Sequence, residues 1–79
     1  MEDDVKLFPS LVLDHFTLEA EFHDFTITIY DTRGALIESL TAEQSSVTVS
    51  AQQLPTGIYF VHVTNRESGR LSVLKILKQ

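Results

Sequence analysis

Apolar residues recur at every second position in several short segments, and this constrains the fold more than any other feature of the chain. Phe25, Ile27 and Ile29 lie on one side of the segment 25–30, and residues with hydroxyl groups alternate with them. The segment 16–21 alternates in the same way. A period of two indicates a β-strand with one buried face, whereas a helix requires a period of roughly 3.6 residues. The chain is therefore predicted to be built from strands.

Turn signals divide the chain into seven predicted strands. They are placed at residues 5–8, 16–21, 25–30, 35–40, 47–49, 57–64 and 71–77. Asp31 and Gly34 predict a four-residue hairpin loop, since aspartate bonds to nearby backbone and glycine accepts a positive φ. A helix at 41–44, starting from a capping box, is the rival interpretation, but no apolar stripe follows it.

Short strands with a turn about every 8–12 residues are typical of an all-β sandwich or barrel. The loop 50–56 is long enough to cross between two sheets, and hairpins are predicted within 25–40 and 57–77. The predicted fold is a seven-stranded antiparallel immunoglobulin-like β-sandwich with Greek-key connections.

A chain of 79 residues with 43% apolar residues can form one domain with its own core. We expect this domain at 5–79, with residues 1–4 as a linker or the artificial start of an excised piece. No apolar run reaches the roughly 20 residues of a membrane-spanning helix. The given sequence does not open on a basic region followed by an apolar one, so we expect no secretory signal within it. The chain has no cysteine, which excludes disulfides and thiolate metal sites.

The net charge of −5 argues against nucleic acid and anionic membranes as partners, because both attract clustered lysine and arginine. Carboxylates at Glu19, Glu21 and Asp24 could bind Ca²⁺, although a solvated strand face is favoured. Three histidines, His15, His23 and His62, could meet at zinc only if strand order brought them together. No catalytic constellation is visible, so we expect no enzyme activity, no metal and no cofactor.

The spacing Leu54-x-x-Gly57-x-Tyr59 predicts a tyrosine corner. In such a corner the tyrosine hydroxyl bonds to backbone of the preceding loop, here the crossing loop. Gly57 would allow a close approach between the two. The alternative is a core aromatic with a solvated hydroxyl.

Large residues occupy both faces of the segments 57–64 and 71–77. A two-layer sandwich buries only one face of each strand. Ile58 and Phe60, opposite Tyr59 and Val61, are therefore candidates for an exposed partner surface used for self-association or docking. The alternative is that loops or chain ends bury them.

Four motifs, in order over residues 5–78, resemble the C-terminal sorting domains of the type IX secretion system of Gram-negative bacteria. They are Leu7-Phe8-Pro9, Ile29-Tyr30-Asp31 with Gly34, Leu54-Pro55-Thr56-Gly57-Ile58-Tyr59-Phe60-Val61, and Leu74-Lys75-Ile76-Leu77-Lys78. Where the family has Asn-Pro after the first proline, this chain has Ser10-Leu11. That departure lies in the part of the pattern nearest the processing point.

The resemblance implies a domain at the end of a larger secreted protein, which passes through the periplasm to the cell surface or the medium. The outer-membrane translocon would recognise the folded domain, with exposed strand surface and the last strand as contacts. A sortase-like protease commonly removes it and joins the cargo to an anionic lipopolysaccharide, although some members keep it. The residues implied in recognition are Leu7, Phe8, Pro9, Asp31, Gly34, Gly57, Tyr59, Val61, Lys75, Ile76 and Lys78.

A structural or adhesive module of a surface protein, such as a carbohydrate-binding domain, is the alternative function. Such a module needs an aromatic platform with polar neighbours. This chain has no tryptophan, and most of its two tyrosines and five phenylalanines fit a core.

Overall fold

The computed structural model describes residues 5–79, which form eight β-strands with no helix among them. The strands are β1 (Val5–Phe8), β2 (Leu11–Val12), β3 (His15–Ala20), β4 (Phe25–Asp31), β5 (Leu36–Ala42), β6 (Ser46–Ser50), β7 (Gly57–Asn65) and β8 (Leu71–Lys78). The predicted linker at residues 1–4 lies outside the described residues. Within that described part, no helix is long and apolar enough to cross a membrane.

Two sheets pack face to face as a β-sandwich. One sheet has the strand order β1-β3-β6, and the other has the order β2-β8-β7-β4-β5. Hairpins join β4 to β5 and β7 to β8, while every other connection passes between the sheets. The predicted crossing loop at 50–56 is confirmed, because β6 and β7 belong to different sheets.

The core lies between the sheets and is formed by the inward residues of the alternating strands. Its fully buried members include Phe16 and Leu18 on β3, Phe25 and Ile27 on β4, and Ile76 on β8. The alternation in β4 is complete: every buried residue is followed by a half-buried one. Burial of one face therefore follows directly from the sequence period.

The prediction of seven antiparallel strands is wrong in two respects. An eighth strand, Leu11–Val12, was missed, and it pairs with β8 in parallel. Two residues are too few to show a period, and the partner strand lies at the other end of the chain. Val12 is nevertheless fully buried.

The helical alternative at 41–44 is also wrong, since Thr41 and Ala42 are the last residues of β5. That strand begins and ends later than predicted, at Leu36 and Ala42. Its pairing with β4 is interrupted by a register shift between Ile29 and Tyr30. Such a bulge increases the local twist of the sheet next to the hairpin loop.

Candidate recognition surface

The β4–β5 hairpin is organised by Asp31. Its Oδ1 atom accepts hydrogen bonds from the backbone N–H groups of Arg33 and Ala35, each at 2.9 Å. The Arg33 guanidinium donates to Oδ2 at 3.1 Å. The Ala35 N–H holds the pKa of Asp31 below its ordinary value; partial burial opposes this, and the Arg33 contacts reinforce it. Gly34 has φ +85°, so the predicted left-handed position is confirmed.

The crossing loop is held by a tyrosine corner, as the spacing predicted. The Tyr59 hydroxyl donates to the Pro55 carbonyl oxygen at 2.6 Å, and the Tyr59 ring is buried. Glycine is required at position 57, but the predicted reason, a close approach of the loop to this residue, is wrong. No atom lies within 4 Å of where a Cβ would stand, and the requirement for glycine comes from φ +153°.

Lys78 holds the same loop from the neighbouring strand. Its side chain is buried, and Nζ donates to the carbonyl oxygen of Leu54 at 3.2 Å and to the main-chain oxygen of Gln79 at 3.3 Å. Lys78 and Tyr59 thus bind two consecutive carbonyls of the loop. A buried ammonium without such acceptors would be strongly unfavourable.

The second, third and fourth sequence motifs meet at one end of the five-stranded sheet. The first motif, Leu7-Phe8-Pro9, immediately precedes the chain segment that joins this sheet. Asp31 pairs with Tyr59, which pairs with Ile76, while Gly57 pairs with Lys78. An open groove of roughly 320 Å³ lies there between the hairpin loop and the start of β7; Asp31, Thr32, Arg33, Ile37, Pro55, Thr56, Gly57, Ile58 and Tyr59 line it. We call this region the motif end.

The opening motif joins the motif end through the backbone. Leu7 packs against the core, while Phe8 and Pro9 are exposed. The chain then leaves the three-stranded sheet, and the Ser10 carbonyl accepts a hydrogen bond from the Leu77 N–H at 2.8 Å. Ser10, where the family pattern is broken, is therefore part of the folded ladder.

Several of the residues implied in recognition have almost no surface in the folded domain. Val61 and Ile76 are fully buried, and Tyr59 and Lys78 are nearly so. In the folded domain these four side chains therefore offer a partner almost no surface to contact. Lys75, by contrast, projects from β8 to the outside.

The outward side of β7 and β8 carries an apolar surface that loops do not cover. We call it the Lys75 face, defined by Ile58, Phe60, Leu71, Val73, Lys75 and Leu77. Ile58 is 41% exposed, Leu77 44%, and Leu71 and Val73 55% each, whereas Phe60 is half-buried beside Tyr30 and Lys75. Ile58 and Phe60 were both predicted for such a surface; both lie on the outward side, Ile58 exposed and Phe60 only in part. The sequence did not indicate which residues of β8 would join this surface, because large residues occupy both sides of that strand.

The other half of the same sheet face is mostly polar. The outward positions of β4 and β5 include Thr26, Thr28, Ser39 and Thr41. Tyr30 and His62 mark the boundary, with their rings 4.6 Å apart. Most of the apolar surface thus lies on β7 and β8. Leu36, which pairs with Tyr30 and is 58% exposed, extends it across this boundary near the hairpin loop.

The residues considered for metal binding do not form a site. No group of three or more histidine, aspartate or glutamate side chains that could hold a metal ion occurs within residues 5–79. Glu19 lies on β3, and Glu21 and Asp24 lie in the following loop. His15 is on the three-stranded sheet, whereas His62 faces outward on the other.

Comparison with known families identifies the chain. A sequence model described as the secretion system C-terminal sorting domain matches residues 6–79. The chain belongs to this family of type IX secretion sorting domains. Membership implies export to the cell surface or secretion. A comparison with curated proteins gave no match.

A solved structure shows the same fold. PorZ, an essential bacterial surface component of the type IX secretion system of human oral-microbiomic Porphyromonas gingivalis, superposes with a TM-score of 0.81 and 19% identity. The similarity covers 95% of this chain and 11% of PorZ. The sorting domain therefore spans about a tenth of the length of that structural relative.

Proposed function

We propose that this domain is the address that directs a larger cargo protein through the outer membrane by the type IX system and supports its attachment at the cell surface. The observation that carries the proposal is the family match over residues 6–79. The convergence of the family's motifs at the motif end supports recognition of the folded domain, because residues far apart in sequence adjoin only after folding.

The route of the cargo, its partners and the removal of the domain are part of the same proposal. The cargo passes through the periplasm, the translocon and sortase-like machinery are the partners, and the protease removes the domain where removal occurs. The domain itself has no catalytic role, which is consistent with the lack of a catalytic constellation in the sequence. The fold is a variant of the immunoglobulin-like Greek-key sandwich, supported by the repeated sheet crossings; its eighth strand and parallel pair are departures.

The test is a fusion of residues 1–79 to a periplasm-directed reporter, expressed in a type IX-competent cell and in a matched strain without the translocon. Surface reporter is expected only in the competent cell. A Val61→Asp variant is the control with an unfolded domain. We expect it to unfold because it places a charge at a fully buried position.

The outcomes separate the candidate functions. Equal surface display of Val61→Asp and the parent would contradict recognition of a folded domain. No display of the parent in the competent cell would contradict the address role, and glycan binding by the isolated domain would then favour the adhesive module.

A further inference from the structure

The Lys75 face contrasts with the rest of the chain in charge. The sequence has 11 acidic and 6 basic residues. No carboxylate, however, occupies an outward position on strands β2, β8, β7, β4 or β5, as their alternation and pairing assign those positions. Lys75 is the one lysine or arginine at these positions, and its strand neighbour Phe60 is aromatic. This acidic protein therefore keeps one acid-free apolar surface.

The face is also continuous with the motif end. Leu77 pairs with both Ile58 and Leu11, and Leu11 is itself 49% exposed. Ile58 lines the groove beside the hairpin loop. One partner could thus contact the family motifs and the apolar surface together.

We infer that the Lys75 face docks onto a protein of the export machinery whose matching surface is apolar and carries a carboxylate opposite Lys75. This inference rests on the proposed export function. An ammonium buried in an apolar interface requires an acidic partner, and removing one member of such a pair is costly. The apolar side chains around Lys75 would exclude water from such a pair, which strengthens the attraction between the two charges.

Two other occupants fit the charges less well. A second copy pairing through the same face would bring one Lys75 against another, with no carboxylate on either outward face to neutralise them. A lipid surface attracts clusters of basic residues, and one lysine on a chain of net charge −5 does not form a cluster.

The experiment uses the reporter fusion with variants at exposed positions. We expect Lys75→Glu, and separately the double variant Leu71→Thr with Val73→Thr, to lower the surface-displayed fraction at least about tenfold, which corresponds to about 1.4 kcal/mol of binding free energy. Lys75→Arg should keep display near the parent level. The matched control is Leu13→Thr, an exposed leucine outside the face. The melting temperature of each isolated variant domain is compared with that of the parent. A variant that melts more than a few degrees lower is treated as unfolded, and its display is not interpreted.

Each outcome decides a point. Parental display of Lys75→Glu and of the double variant would overturn the inference while leaving the export function intact. Failure of the parent itself to reach the surface would overturn the export function and this inference with it. A dimer at pH 7 in sedimentation equilibrium that the double variant abolishes would assign the face to a second copy. Binding to phosphatidylglycerol vesicles lost in the double variant would assign it to lipid, and either result would overturn the inference.

Discussion

At the scale of single residues, the Tyr59 hydroxyl bond to Pro55 is the contact that the sequence predicted most specifically. Tyr59→Phe keeps the buried ring and removes only this bond, so we expect a loss of about 0.5–1.5 kcal/mol in the free energy of unfolding. In a domain of this size that lowers the melting temperature by roughly 4–8 °C per kcal/mol.

Tyr30→Phe is the matched control, because the Tyr30 hydroxyl has no hydrogen-bond partner among the described residues and its ring still contacts His62. Thermal melts of both variants give the comparison. Equal melting temperatures for Tyr59→Phe and the parent would show that the bond adds no stability.

Asp31 makes hairpin stability depend on pH. Its pKa is lowered in the folded state, chiefly by the Ala35 N–H, so the carboxylate stabilises the fold above the ordinary aspartate value of about 3.9. This contribution is lost as pH falls through the lower folded pKa. Asp31→Asn resembles the protonated side chain, so its melting temperature should lie below that of the parent at pH 7 and converge with it as the pH falls through the lowered folded pKa of Asp31.

Thermal melts across this pH range provide the measurement. Arg33→Gln should have a smaller effect at pH 7 than Asp31→Asn, because the backbone N–H group of Ala35 is the larger cause of the lowered pKa. A constant difference between parent and Asp31→Asn at all pH values would refute the linkage.

The residues that sequence reasoning placed well are those governed by local rules. Gly34 and Asp31 follow from turn chemistry, and Tyr59 from a spacing of a few residues. Lys78 was assigned to recognition, and its burial could not be anticipated, because its partner carbonyl belongs to Leu54, 24 positions earlier. Only the pairing of β7 with β8 brings those two residues together.

At the scale of elements, β2 is a two-residue strand that contributes one core side chain. Val12→Ala removes two buried methyl groups and leaves a small cavity, so we expect a loss of about 2 kcal/mol in the free energy of unfolding. Leu13→Ala, at the neighbouring position with 64% exposure, should change it by less than about 0.5 kcal/mol. Urea titration of the two variants measures both values, and similar midpoints would show that β2 is dispensable.

The last strand is an interior part of the sheet and not a detachable tail. β8 pairs with β7 over its whole length and with β2 at its end, and it supplies Ile76 to the core. We therefore expect a chain lacking residues 71–79 to be unfolded, with no near-ultraviolet circular dichroism and rapid proteolysis. Retained protection and a cooperative melt would contradict this. Loss of export after such a truncation would consequently report unfolding, so point substitutions on the Lys75 face are the better probe.

The predictions for strands fail where the sequence of a single strand does not determine its buried side or its partner. In β8 both sides are apolar, so the period does not say which side is buried; pairing of Ile76 with Tyr59 and of Leu74 with Val61 decides it. The same holds for β2, whose partner is set by a parallel contact across the length of the chain. Strand type was predictable from local pattern, whereas side assignment required the register.

At the scale of the whole molecule, the sandwich combines a surplus of negative charge with an apolar outward surface on β7 and β8 whose one charged residue is Lys75. The net charge is −5 and the isoelectric point about 4.9. Mutual repulsion of acidic chains opposes contact between Lys75 faces at neutral pH. The outward threonines of β4 show that outward positions of this sheet can be polar.

This balance predicts self-association that depends on pH. As the pH falls from 7 toward 5, net repulsion vanishes, and we expect the apparent mass in light scattering to rise through non-specific contacts of exposed apolar residues such as Leu71 and Val73, in arrangements that do not set Lys75 against Lys75. The double variant Leu71→Thr with Val73→Thr should stay monomeric at pH 5, because it keeps the net charge and loses the apolar surface. Leu13→Thr, which changes an exposed leucine elsewhere, should associate as the parent does. Equal association of all three proteins would mean that another surface is responsible.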